Sequence, residues 1–136
     1  MHVVAHSLSA FPAFAAYLLL AFGLTALYLV VYTALTIHPE WALLRQGNLS
    51  AALAFGGSLL GFVIPLSSAI AHAASLPECA IWGGIALVVQ VLAFYVIRLV
   101  LPNLPRHIEA DQPGPAAAAA LFFLAVGILN AACLVS

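Results

Sequence analysis

Between Asn48 and His72 the chain runs for about 23 residues without a charged side chain, long enough to cross a bilayer as a helix. Gly56, Gly57, Ser58, Gly61 and Pro65 stand in the middle of that run. A helix that had only to dissolve in lipid would have no use for them. Small residues four apart, Ala52 with Gly56 and Gly57 with Gly61, strip bulk from one stripe and admit another backbone at close range. The segment is therefore expected to be a membrane helix covered by protein on at least one face.

The rest of the chain agrees with a membrane setting. Apolar residues make up 66% of the sequence and charged residues only 5%, against roughly a quarter charged in soluble domains. A soluble fold of 136 residues has too little interior to hide so much apolar surface. The expected fold class is all-α, a polytopic membrane protein whose four transmembrane helices form a single integral membrane domain over residues 1–136. Arg45, Arg98 and Arg106 are the only basic residues apart from histidines. The lipid bilayer is thus an expected partner and nucleic acid is not.

The first span is expected from about Pro12 to Thr36, with Tyr17 near one interface and Tyr28 and Tyr32 near the other. In IHPEWALLRQGN, Pro39 can open a short interfacial helix, Trp41 and Leu44 share a face, and Gly47 can close it in the left-handed conformation. Asn48 can cap the second span, which ends near Ala71. Ser75 and Glu78 have capping-box spacing before a third span over about Cys79 to Leu101, which places Gln90 near the bilayer centre and Arg98 near its end. A polar, Pro-rich link precedes the fourth span, about Ala116 to Val135.

A shift of 66 residues sets Tyr28 on Phe94, Leu35 on Leu101, Pro39 on Pro105, Gln46 on Gln112 and Gly61 on Gly127, aligning helix, link and helix without a gap. This reads as a duplicated helix–link–helix unit, residues 12–71 and 79–135, related by a pseudo-twofold axis along the membrane normal. All three arginines fall at the first and third connections. The positive-inside rule places those in the cytoplasm and both termini in the periplasm.

LRQGNLSAALAFGGSLLGFVIPLSSAIAHA, the Trp-Gly of IWGGIALVVQ and the Asn-Ala-Ala-Cys of VGILNAACLV resemble the YjfL-type family of small bacterial inner-membrane proteins, whose domain, number three-fifty, is one of unknown function. The resemblance implies a multi-pass protein of the bacterial inner (plasma) membrane built from duplicated two-helix units. It also implies a link to envelope maintenance. The family offers no catalytic residues to carry over.

Intramembrane polar groups are costly and often functional. By the expected topology Ser67, Ser68, His72, Glu78, Cys79, Asn130 and Cys133 fall in the outer half, as candidates for one polar vestibule. Pro65 frees the Gly61 carbonyl there to face a water, a hydroxyl or an ion. The plainer reading has the serines bonding to their own helix, Pro65 kinking it, and Asn130 joining two helices. Gln90 similarly fits either a pore axis or, more simply, a bond to a neighbouring helix. His2 and His6 stand four apart but lack a third ligand, and His38 and His107 lie in links. Cys79 and Cys133 share a side, where a disulfide would need close approach.

No nucleophile–base pair, ligand run or phosphate-binding loop stands out, so no enzyme activity, catalytic residue, cofactor or metal site is expected. Two functions remain. One is a structural or scaffolding protein that forms homo-oligomers, packs through Gly56, Gly57, Gly61 and Gly127, and docks a cytoplasmic or membrane protein partner linked to envelope maintenance. The alternative is a subunit of an oligomeric channel or small-solute or ion transporter, with Ser58, Gly61, Pro65, Ser68, Gln90 and Asn130 along its path.

Overall fold

The computed structural model describes the backbone of residues 2–36 and 40–134 and the side chains of residues 8–36 and 41–134. Six helices follow one another: α1 (His2–Leu35), α2 (Glu40–Arg45), α3 (Leu49–His72), α4 (Leu76–Val100), α5 (Leu104–Glu109) and α6 (Pro113–Cys133). The four long ones are each apolar and long enough to span a bilayer. At 1.5 Å per residue even α6 reaches about 31 Å, the thickness of a hydrocarbon core.

α1 begins ten residues before the expected start at Pro12. Residues 2–11 hold no glycine and no second proline, and in apolar surroundings the helix is the conformation that satisfies their backbone groups. Pro12 therefore costs one hydrogen bond without ending the helix. His2, His6, His38 and Pro39 fall outside the described side chains, and the expectations resting on them stay there.

The short helix before α3 forms as expected. Gly47 closes it at φ 79°, the left-handed conformation that glycine adopts without strain. Asn48 then accepts from the Ala51 N–H at 2.8 Å and caps α3. At α4, Ser75 Oγ accepts from the Glu78 N–H, while the Glu78 carboxylate reaches the N–H of Ala74, one residue before the expected partner.

The third connection carries a helix, α5, where only a link was expected. Leu104 and Ile108, one turn apart, are both buried, so the segment folds to bury an apolar pair despite its prolines. Its left-handed residue is Asp111, at φ 53°. From Gly47 to Asp111, as from Leu49 to Pro113, the offset is 64 residues rather than the 66 that separates Gly61 from Gly127. The helical connections and the glycines thus keep different registers.

α3 is the centre of the bundle. It packs most extensively on α6, α4 lies against both, and α1 rests on α3 and α4. Tyr28 and Tyr32, expected near an interface, turn their rings into the bundle. Both are buried: Tyr28 stacks on Phe62 with centroids 4.7 Å apart, and Tyr32 meets Phe55 and Phe94 edge-on. Tyrosine chooses the core here because the bundle supplies ring partners and a hydroxyl for its polar end.

Glycines set the α3–α6 distance. A Cβ on Gly57 would lie 2.5 Å from the Cα of Ala120, one on Gly127 would lie 2.7 Å from the Cα of Gly61, and one on Gly61 would strike the Phe123 carbonyl oxygen. Gly56 is different. Among the described residues, nothing beyond its own stretch of helix lies within 4 Å of its Cβ position.

Candidate functional site

The buried polar side chains among the described residues are Asn48, Ser50, Ser58, Gln90 and Asn130, none of them charged. They fall into three groups. The first lies deep in the bundle, where the Tyr28 phenol of α1 and the Ser58 hydroxyl of α3 form a short hydrogen bond. From α4, Gln90 Nε2 donates to the Ser58 carbonyl at 3.2 Å. Tyr28, Ser58 and Gln90 are each at most 1% exposed. Three helices are thereby tied at one depth by groups that would otherwise lie unpaired in a low-dielectric interior.

Two features of this cluster stand out. Gly61 leaves room for the Gln90 amide, because a Cβ there would overlap Nε2. The other end of that amide, Oε1, is buried without a hydrogen-bond partner. A buried unpaired carbonyl costs about 1–3 kcal/mol, more than the roughly 0.6 kcal/mol of an average interhelical hydrogen bond in a membrane. Gln90→Met, of similar length but apolar, is therefore expected to raise stability by about 1 kcal/mol, read as a higher denaturant midpoint in detergent micelles. A loss of that size would mean that Oε1 has a partner outside the chain.

The second group lies three turns further along α3, about 15 Å from Ser58. Ser68 Oγ donates to the Ala131 carbonyl of α6 at 3.2 Å, and His72 Nδ1 meets the Ser68 carbonyl at 2.9 Å. Ser67 is exposed and bonds back to Ile64. Asn130 is buried, and its Nδ2 has no partner. Pro65 is fully buried, and the Gly61 carbonyl that it leaves without a helical donor lies against Gly127 of α6. Cys79 is buried at the start of α4, and no disulfide joins it to Cys133.

The third group was not foreseen. At the opposite end of α3, Asn48 Nδ2 donates to the Ile108 carbonyl at 2.8 Å, and the Asp111 carboxylate accepts from both the N–H and the hydroxyl of Ser50, each at 3.0 Å. A carboxylate at a helix amino terminus is favoured by the exposed N–H groups and the helix dipole. The α5 connection is thus pinned onto α3. The available signal was an aspartate three residues beyond a one-turn apolar pair, a position suited to a left-handed residue that also bonds backbone. Beside it, Tyr32, Phe94, Arg98, Leu104 and Ile108 line a cavity of about 20 Å³, room for one water. The Arg98 guanidinium lies over the Phe94 ring, 5.9 Å from its centre.

Four apolar spanning helices, a glycine-packed centre and uncharged buried polar groups define a small multi-pass membrane protein. The chain belongs to the family described as Domain of Unknown Function (DUF350), which it matches over residues 6–134. It is 43% identical to the UPF0719 inner membrane protein YjfL of Escherichia coli K12 over 129 residues, covering 95% of this chain and 98% of that one. It is 26% identical to the UPF0719 transmembrane protein YshE of Bacillus subtilis, covering 84% and 85% of the two chains. No solved structure matches it. Together these similarities and the four spans make it a multi-pass inner-membrane protein.

Proposed function

We propose that the protein is a self-associating structural component of the inner membrane. One observation carries this reading: Tyr28, Ser58 and Gln90, the polar groups deepest in the bundle, are closed inside a single chain and spend their hydrogen bonds holding α1, α3 and α4 together. The large apolar side chains Leu19, Phe22, Val30, Leu60 and Leu121 face outwards instead. Such a protomer offers surfaces for other helices and puts its polar residues to structural use.

The positions of the arginines support cytoplasmic α2 and α5 connections and periplasmic termini, because Arg45, Arg98 and Arg106 belong to the end of the bundle where α5 meets α3. That end is the surface for a cytoplasmic partner. The envelope-maintenance link is part of this proposal through the family resemblance.

Reconstitution tests the choice between scaffold and channel. Proteoliposomes carrying the purified protein are expected to hold K⁺, Na⁺ and proton gradients as long as empty vesicles do. A selective flux that disappears in Gln90→Leu or Asn130→Leu would overturn the scaffold in favour of an oligomeric channel.

A further inference from the structure

We infer that the groove between α3 and α6 on the side away from α4 receives α1 of a second copy, giving an isologous dimer; this rests on the self-association proposed above. The groove has a volume of about 410 Å³, a floor that includes Ala52, Gly56 and Ala120, and walls that include Leu60, Leu121 and Leu124. No polar surface lines it. Gly56, on its floor, meets none of the described residues beyond its own stretch of helix.

Two arguments choose the occupant. The first is the relation between the two faces of the α3–α6 pair. α4 fills one face, placing Gln90 against Ser58 and Gly61. Moved by the 66-residue offset, Ser58 becomes Leu124 and Leu60 becomes Val126: Leu124 lines the empty groove, and Val126 lines the boundary with α4. The groove is thus the counterpart of a surface that already binds a helix, and the helix counterpart of α4 is α1. Within one chain α1 lies elsewhere, against α3 and α4.

The second argument is fit and extent. Since Tyr28 meets Ser58 and the two helices run antiparallel, Val30 lies level with Gly56 and Ala26 with Leu60. The outward stripe Gly23, Ala26, Val30 and Ala34 is small enough for close approach. Around α3, a strip of Ala52 and Gly56 separates the α1 contact at Phe55 and Phe62 from the far side of the groove at Leu53 and Leu60. A two-fold axis along the membrane normal beside that strip carries each α1 onto the other copy's groove. The α1 face and the groove rim, with Leu19, Phe22, Leu27, Leu49 and Leu121 among them, expose on the order of 800 Å² per copy, the share of one partner in a standard interface.

Cysteine cross-linking in native membranes tests this in a Cys79→Ala, Cys133→Ala background. Val30→Cys with Leu121→Cys should give a dimer band, whereas Leu99→Cys, on an exposed face of α4, should not. Gly56→Leu should fill the floor and weaken dimerisation about tenfold or more, while leaving the monomer folded by circular dichroism. Three results overturn the inference. A dimer that survives Gly56→Leu and cross-links through Leu99→Cys moves self-association to another surface; a groove occupied by lipid alone leaves the Val30–Leu121 pair uncross-linked; and a chain that stays monomeric at every position removes self-association itself.

Discussion

Gly127→Leu is expected to be the most damaging single substitution in the chain, lowering stability by about 3 kcal/mol or preventing stable folding. The reason lies in two backbones rather than in a side chain. Pro65 leaves the Gly61 carbonyl without a helical donor, and that oxygen lies where a Cβ on Gly127 would stand, while the Phe123 carbonyl oxygen lies where a Cβ on Gly61 would stand. Each glycine thus presents its Cα–H, a weak donor, to a carbonyl of the other helix, an interaction that depends on close approach. A leucine at residue 127 cannot relieve the overlap by rotating, because backbone opposes its Cβ. α3 and α6 would have to separate along the most extensive contact in the bundle. Gly84→Ala is the control, since among the described residues nothing beyond its own stretch of helix lies within 4 Å of its Cβ position. It should stay within about 0.5 kcal/mol of the parent. Thermal unfolding in detergent reads both, and equal midpoints would contradict the α3–α6 geometry.

The second large effect is expected at the other end of α3. Asn48→Ala removes the cap on the Ala51 N–H and the bond to the Ile108 carbonyl together. The expected cost is about 2 kcal/mol, combining the loss of a helix cap with the loss of a buried interhelical hydrogen bond; the Ile108 carbonyl keeps the Asp111 N–H. Asn48→Asp separates the two parts: the carboxylate still accepts from Ala51 but has no hydrogen to offer Ile108. It should therefore release α5 while keeping the first turn of α3. Trypsin cleavage after Arg106 and hydrogen exchange of residues 49–52 report the two events independently. If Asn48→Ala leaves both unchanged, the connection is held by its apolar contacts and the Asp111–Ser50 bonds without Asn48.

The sequence announced the helices because membrane spans leave a strong compositional trace, and α3 stood out further through glycines that have no purpose in lipid. Asn48 and Gly47 were legible for a related reason: caps and left-handed closures are local, and the residues that make them are few. What stayed hidden was tertiary. Tyr28 looks like an interfacial aromatic until Ser58 and Phe62 are brought to it from another helix. Asp111 looks like a solvated link residue until α5 folds back onto Ser50. Gly56 and Gly57 are adjacent in sequence and indistinguishable by type, yet they point about 100° apart on the helix, so one meets α6 and the other an open groove. The residues expected along a channel path likewise separate with depth, Ser58 and Gln90 at the level of Tyr28, and Ser68 and Asn130 some three turns beyond. Composition carries no information about which of these depths shares a partner.

The measurement closest to the centre of this account is native mass spectrometry of the wild-type protein released from lipid nanodiscs. Self-association predicts a species of twice the 14.1 kDa chain mass, with α1 in the groove of each partner. A 14.1 kDa species alone, at every protein-to-lipid ratio, would contradict it.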